Sequence, residues 1–357
     1  MSALLSVENI SKTYASGDGL FGARKSARVV TDVSFSLQRG DVFALVGESG
    51  SGKTTIGRML LRLIEPDAGN ISFDGIDVRA LEPAALRRLR RRIQIIFQDP
   101  FGSLDPRVRI GAAIAEPIVL HGLRPRHQVV DRVAELLALV GLDASHAQRY
   151  PHEFSGGQRQ RVAIARALAV EPELIVCDEP VSALDLSIQA QVVNLLGELR
   201  AKLGVSYVFI SHDMAVVRHL ATHVGVLYAG RLVESGPSET IFADPRHPYT
   251  RMLLAATPSP VPGSLRHREA ITGEPPSPYA QWSQCRFASR CPQRINACLA
   301  ADPPLAEVAP APRLSACLRS SELPPFAAFD DGEDRMTAVY RARLGLLRRA
   351  RIGAAHV

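Results

Sequence analysis

GESGSGKT, residues Gly47–Thr54, fits the pattern G-x-x-x-x-G-K-[S/T], and its surroundings decide the fold. It follows VFALV, a short apolar run with strand character, and precedes IGRMLLRLI, a helical run. Strand, glycine-rich turn and helix in that order make a phosphate cradle. The glycines let successive backbone N–H groups face inward, and the helix N-terminus adds a favourable dipole. Candidate nucleotide contacts are Gly47, Glu48, Ser49, Gly50, Ser51, Gly52, Lys53, Thr54 and Thr55. Lys53 is expected to reach the β- and γ-phosphates and the Thr54 hydroxyl to ligate Mg²⁺. A Gly/Ser-rich turn that matches by chance is the bland alternative; the flanking elements argue against it.

Strand-like and helical runs alternate from Leu4 to about Val233, the pattern of an α/β fold. LIVCDE (Leu174–Glu179) and YVFISHD (Tyr207–Asp213) are, like VFALVG, unbroken apolar runs. Such strands suit a parallel sheet covered on both faces. In LIVCDE, Asp178 ends a buried strand, where its carboxylate can complete a Mg²⁺ shell. Glu179 follows at the strand tip, placed to polarise an attacking water. Between Asp99 and Gln160 the pattern turns helical, predicting an inserted helical subdomain at about 99–160. There Val129, Val133, Leu136, Leu137 and Val140 share one face.

The 357 residues are 46% hydrophobic and 22% charged, the composition of a soluble globular chain. No apolar run approaches the ~18–20 residues of a spanning helix. MSALLSVENISKTY lacks the basic start and apolar core of a secretory signal, so a cytosolic chain is expected. A net charge of +6 and the stretch LRRLRRR (Leu86–Arg92) would suit nucleic acid or a membrane surface, but the charge alone is weak evidence and a solvated helix face is the favoured reading of the arginines.

FSGGQRQR (Phe154–Arg161), with the loop and the Asp–Glu pair, resembles the signature of the ATP-binding cassette (ABC) ATPases. The resemblance runs from about residue 4 to 255, with motifs in the family's order. These are Tyr14, the phosphate loop, Gln98 in IFQDP, the signature, Asp178–Glu179, SALD (Ser182–Asp185) and His212. It implies an ABC ATPase core in which Tyr14 stacks on adenine and Gln98 contacts Mg²⁺ and the attacking water. It implies also that Glu179, His212 and Gln98 form the catalytic set. Ser155, Gly156, Gly157 and Gln158 would meet the γ-phosphate of a second subunit's ATP. The residues themselves agree: a serine and two glycines opening a helix form a second anion-binding end, which one phosphate loop per chain leaves for a neighbour.

The chain also resembles the ATPase subunits of oligopeptide and dipeptide importers, of the second-subunit type. GLFGARK (Gly19–Lys25), IFQDPFGSLDPR (Ile95–Arg107), YPHEFSGGQRQR (Tyr150–Arg161), HPYTRMLLAATP (His247–Pro258), GEPPSP (Gly273–Pro278) and CRFASRCP (Cys285–Pro292) carry that likeness. It implies a peripheral protein on the cytoplasmic face of the membrane, paired with a paralogous ATPase as a heterodimer. It implies two permease subunits, an extracytoplasmic solute-binding protein and no nucleic acid. Dipeptides, longer peptides, glutathione, opine-like compounds and nickel chelates all stay open as solutes. A ribosome- or DNA-acting ABC ATPase is the competing reading; it usually has two cassettes or a long coiled coil, and this sequence shows one cassette and no sustained heptads.

Beyond the cassette, residues 256–284 read as a proline-rich linker and 285–320 as a four-cysteine motif, followed by a basic tail over 321–357. In the tail, Arg335–Ile352 has the pattern of a basic, loosely amphipathic helix suited to an anionic interface. Cys285, Cys291, Cys298 and Cys317 lack the tight C-x₂₋₄-C pairs usual for zinc. A reducing cytosol disfavours disulfides. Four thiolates on proline-punctuated backbone can wrap a [4Fe–4S] cube, and the resemblance points the same way; zinc and unliganded thiols stand as alternatives. The tail is then expected to be stapled by its metal. Cys177, inside an apolar strand, reads as a small core residue.

Overall fold

The computed structural model describes residues 3–16, 25–99, 102–257, 282–309 and 312–326, with a few more between 273 and 280. Most of the Gly19–Lys25 insertion, much of the proline-rich linker and the whole of Arg335–Ile352 lie outside the described residues.

Twelve strands are described: β1 Leu5–Ser16, β2 Lys25–Leu37, β3 Val42–Val46, β4 Ala68–Phe73, β5 Ile76–Asp77, β6 Ile93–Ile96, β7 Leu174–Asp178, β8 Ser206–Ser211, β9 His223–Tyr228, β10 Arg231–Pro237, β11 Ala306–Glu307 and β12 Leu314–Ser315. The helices are α1 Lys53–Leu60, α2 Pro83–Arg92, α3 Ile110–Leu120, α4 Val129–Leu139, α5 Gly156–Leu168, α6 Leu186–Leu203, α7 Met214–Leu220, α8 Ser238–Ala243 and α9 Pro248–Ala256. The main sheet has the order β11-β12-β10-β9-β3-β8-β7-β6. From β9 to β6 all neighbours are parallel, while β10, β12 and β11 add antiparallel strands. A separate antiparallel sheet runs β2-β1-β4-β5.

Strand β3 shows why the parallel strands are apolar throughout. Val42, Ala44 and Val46 belong to one core with α3–α7; Phe43 and Leu45 belong to a second core with α1 and the antiparallel sheet. Both faces are buried, so no polar alternation survives. Three runs expected as strands are β3, β7 and β8. The expected helical region holds α3 and α4 and runs into the start of α5. All five residues of the predicted α4 face are buried.

The four-cysteine segment does not hang from the cassette. Ser315 of β12 pairs with Glu234 of β10, so the main sheet continues into residues 306–315. Phe287 is 1% exposed and belongs to the core beneath β9, packed edge-on to Tyr228 and tilted against Tyr249. Arg286, Arg290 and Arg313 are all buried. The expectation that a metal must staple this segment is therefore unnecessary for its attachment: sheet pairing, an aromatic anchor and buried arginines already hold it.

Candidate active site

The carboxyl ends of β3, β7 and β8 lie side by side, and the functional side chains sit on them or on the turn just beyond. The phosphate loop leaves β3 and closes at α1. Its first residue must be glycine. Gly47 has φ +153°, and a Cβ there would sit 2.2 Å from the Leu227 carbonyl oxygen. The loop is tied down from behind, where Gly230 N–H donates to the Ser51 carbonyl at 3.0 Å and Glu48 N–H to the Tyr249 hydroxyl at 2.9 Å.

Lys53 opens α1 and is almost wholly buried. Its ammonium donates to the carbonyls of Gly47 at 2.8 Å and Glu48 at 2.9 Å. Burial pulls its pKa down, against the attraction of Glu179, Asp178 and Glu48. The next residue, Thr54, donates its hydroxyl to Asp178 Oδ1 at 2.9 Å. Burial pushes the Asp178 carboxyl up, and the Thr54 hydrogen bond opposes the shift. A hydroxyl and a carboxylate this close, both hard oxygen donors, fit Mg²⁺.

Glu179 is the hub of the mouth. Gln98 Nε2 donates to its Oε2 at 3.0 Å, His212 Nδ1 lies 3.5 Å from the same oxygen, and Lys53 Nζ lies 3.9 Å from Oε1. Its backbone is in the left-handed region at φ +46°, held there by its own N–H on Ile210 O and by the Ser182 hydroxyl on its carbonyl. The cleft beside it, about 200 Å³, is lined by Ser49, Gly50, Gly52, Lys53, Thr54, Thr55, Gln98, Glu179 and Val29. Residues from four separate motifs thus meet in one place. Val29, from β2, was not expected there; nothing in its local sequence signals it.

Other expected contacts lie elsewhere. Tyr14 is 40% exposed on β1, with Lys12 Nζ 5.7 Å from its ring, outside the lining of the cleft. Ser155 caps α5. Its hydroxyl accepts from Gln158 N–H at 3.4 Å, and its own N–H donates to Gln158 Oε1 at 3.1 Å, a reciprocal capping box. Gly157 could carry no side chain, since a Cβ would meet Ile188 Cγ2 at 2.3 Å. None of Ser155, Gly156, Gly157 and Gln158 lines this chain's own cleft.

The arginines of α2 divide. Arg90 donates to the carbonyls of Leu61 and Arg62, and Arg92 pairs with Glu173 and Asp74, while Arg87, Arg88 and Arg91 are exposed. Among the cysteines, Cys177 is fully buried in β7. The thiols of Cys285 and Cys317 are both pushed up to about 11 by burial; Cys298 and Cys291 add to the shift at Cys285, and Cys291, Cys285 and Cys298 to that at Cys317. Cys285 N–H donates to the Cys298 carbonyl at 2.9 Å. Among the described residues, however, no three His, Cys, Asp or Glu side chains are grouped to hold a metal ion.

A phosphate loop, a paired Thr–Asp, a strand-tip glutamate with glutamine and histidine on it, and a capped SGGQ helix define an ATPase of the ATP-binding-cassette class. Comparison with known proteins agrees. The ABC transporter model matches residues 30–182, and the model for the C-terminal region of oligopeptide/dipeptide transporters matches 233–298. A Brucella ovis protein named for peptide import and ATP binding is 50% identical over 318 residues, covering 89% of this chain and 98% of its own. A Sinorhizobium fredii protein named as a peptide ABC transporter ATP-binding protein is 46% identical over 316 residues, covering 88% and 89%. Among solved structures, the dimeric ATP-binding cassette MJ0796 with ADP and Pi superposes with a TM-score of 0.59 at 29% identity, covering 66% of this chain and 98% of that one. CbiO1 of Clostridium perfringens, part of the cbiONQ transporter complex, gives 0.59 at 27%, covering 68% and 92%. The chain belongs to the ATP-binding subunits of the oligopeptide/dipeptide ABC transporter family. Among its described residues no helix is long and apolar enough to cross a membrane. Permease partners are implied by the family.

Proposed function

We propose that this chain binds Mg·ATP at the Gly47–Thr54 loop and hydrolyses it with Glu179 as the principal carboxylate, driving peptide import through permease partners. The observation that carries this is the Glu179 carboxylate, 3.0 Å from Gln98 Nε2 and 3.5 Å from His212 Nδ1, beside the loop lysine. When bound, Mg²⁺ would be held by Thr54 and Asp178, with Gln98 at the same mouth, and would neutralise charge on the phosphates. The chain's own groups do the rest. Lys53 offsets phosphate charge. Glu179 accepts the proton of the attacking water, and Gln98 and His212 hold that carboxylate in place.

The capped SGGQ helix, lying outside its own cleft, supports a head-to-tail dimer in which each signature closes on the other subunit's ATP; the MJ0796 cassette is a dimer in its solved structure. In our reading the partner is a paralogous cassette, the assembly sits on the cytoplasmic face of the membrane, Tyr14 stacks on adenine, and a solute-binding protein delivers the peptide. Glu179→Gln should keep ATP binding but lower turnover by ~10²-fold or more. Near-wild-type turnover, in a complex whose other site is already inactivated, would remove Glu179 from the role.

The four cysteines all lie in the one module, and neighbouring cysteines act on the thiols of Cys285 and Cys317; this supports a [4Fe–4S] cluster, which would spread four cysteine ligands over four irons. Anaerobic purification with iron and sulfide analysis decides between this and zinc: about four irons per chain, lost on Cys291→Ser, are expected.

A further inference from the structure

A carboxylate inside a phosphate-binding loop is an electrostatic liability. Glu48 is the second residue of the loop, and its backbone carbonyl already accepts from Lys53 Nζ. Its negative charge acts on Lys53, the group meant for ATP. The loop would carry this charge into a site that must accept a polyanion. What meets Glu48 comes from 242 positions away. Arg290, in the cysteine module, grips both carboxylate oxygens, Nη1 to Oε2 and Nη2 to Oε1, each at 2.8 Å. The arginine side chain is 4% exposed and that of Glu48 23%. Arg290 Nη1 also donates to the Tyr228 hydroxyl at 3.3 Å, and the guanidinium lies 5.8 Å from the Tyr228 ring centre. The planar fork in a built pocket gives the bidentate geometry that a lysine cannot reproduce.

We propose that Arg290 is a positioning residue for nucleotide binding: it neutralises Glu48 and holds it away from the phosphate cradle, so that the cysteine module sets the ATP affinity of the cassette. Without Arg290, the Glu48 carboxylate is left unpaired next to Lys53 and competes with ATP for that ammonium. Like charge in such a site costs affinity rather than the chemical step. The inference rests on the loop being the ATP site, as proposed above.

The test uses the purified native transporter complex and ATP itself. Arg290→Met should raise KM for ATP about tenfold, equivalent to about 1.4 kcal/mol, with kcat at saturating ATP nearly unchanged. The rise should shrink at high salt, because Glu48 is partly exposed and its field is screened. In a Glu48→Gln background the same Arg290→Met change should cost less than twofold, since no carboxylate is left to neutralise. Arg290→Lys should recover part of the affinity, and serves if the methionine variant does not assemble. Arg313→Met, whose arginine binds Asp244 and the Ala309 carbonyl rather than the loop, controls for loosening of the module. An equal KM rise in Arg313→Met, or a rise that persists with Glu48→Gln, would overturn the proposal and leave Arg290 a structural tie. An unchanged KM in Arg290→Met, with ATP binding lost in Lys53→Met, would overturn this inference alone. ATP binding at wild-type affinity in Lys53→Met would overturn the reading of the site itself.

Discussion

Two regions of this molecule bury charge, and they do so in opposite ways. In the nucleotide cleft the contacts are loose: Lys53 lies 3.9 Å from Glu179 and His212 lies 3.5 Å from it, and the lysine falls back on its own loop's carbonyls. In the cysteine module the contacts are close and shared. Asp302 takes both Arg231 at 2.6 Å and Arg286 at 3.1 Å, and Glu48 is gripped bidentately by Arg290. The cleft's charges face open space, where the proposed polyanionic ligand would meet them. The module's charges are satisfied within the chain, Asp302 by two arginines and Arg290 by a residue of the loop. Loose geometry around buried charge leaves room for a ligand; close geometry leaves none.

Three experiments press on that contrast. The largest effect should come from Phe287→Ala. Phe287 anchors the module in the core beside Tyr228, Tyr249 and His247. Truncating a buried aromatic costs roughly 3–5 kcal/mol, readable as a lowered midpoint in denaturant. A loss below about 1 kcal/mol would mean that the module is not part of the cassette's core.

The next effect is a pH dependence. Glu234 is fully buried on β10, accepts from the N–H groups of Arg246 and His247, and is pushed up to about 7 by burial. His247, equally buried, is pushed down to about 3. The signs oppose. Between about pH 4.5 and 7 the folded state holds a Glu234 proton that the unfolded chain has released, so this group's contribution to stability falls as pH rises. Between about pH 3 and 6.5 the unfolded chain holds a His247 proton that the fold excludes, so that contribution falls as pH drops. The two slopes nearly cancel from about pH 4.5 to 6.5 in the native protein. Glu234→Gln should unmask the histidine, and stability should then rise by up to about 1.4 kcal/mol per pH unit across that window. Thermal melts of both proteins at pH 5 and 6 measure it; equal slopes would refute the assignment.

The smallest effect should be at Lys53. A buried, loosely paired ammonium pays desolvation for little return. Lys53→Met should therefore change ligand-free stability by less than about 1 kcal/mol while abolishing the stabilisation that ATP confers. A large ligand-free loss would erase the distinction between the two regions.

The same distinction governs what the sequence reveals. The cleft is legible because each part is a short contiguous motif at the end of an apolar strand: GESGSGKT after β3, Asp178–Glu179 ending β7, His212 after β8. Strand order places these ends together. Val29 escapes notice because it reaches the cleft through sheet pairing rather than through a motif. The module is legible only in its cysteines. Its actual fastenings are arginines, residues that sequence patterns assign to the surface, and strands β11 and β12 of two residues each, too short for any periodicity. Arg290 sits inside the family stretch CRFASRCP, yet nothing there points to a loop residue 242 positions away.

Strand β12 has a consequence for biosynthesis. Until it pairs, β10 is the border of the main sheet, with a row of unmatched backbone groups beside buried Leu232 and Val233. Its partner lies about 80 residues further along the chain. At a translation rate of ~5–20 residues per second, the border stays open for roughly 4–16 s after β10 is made. During that interval the nascent cassette presents a template for any strand nearby, including the same strand on a neighbouring polysome. Strand β12 thus acts as a late seal on the fold, and chains released before it is synthesised are the ones exposed to co-aggregation.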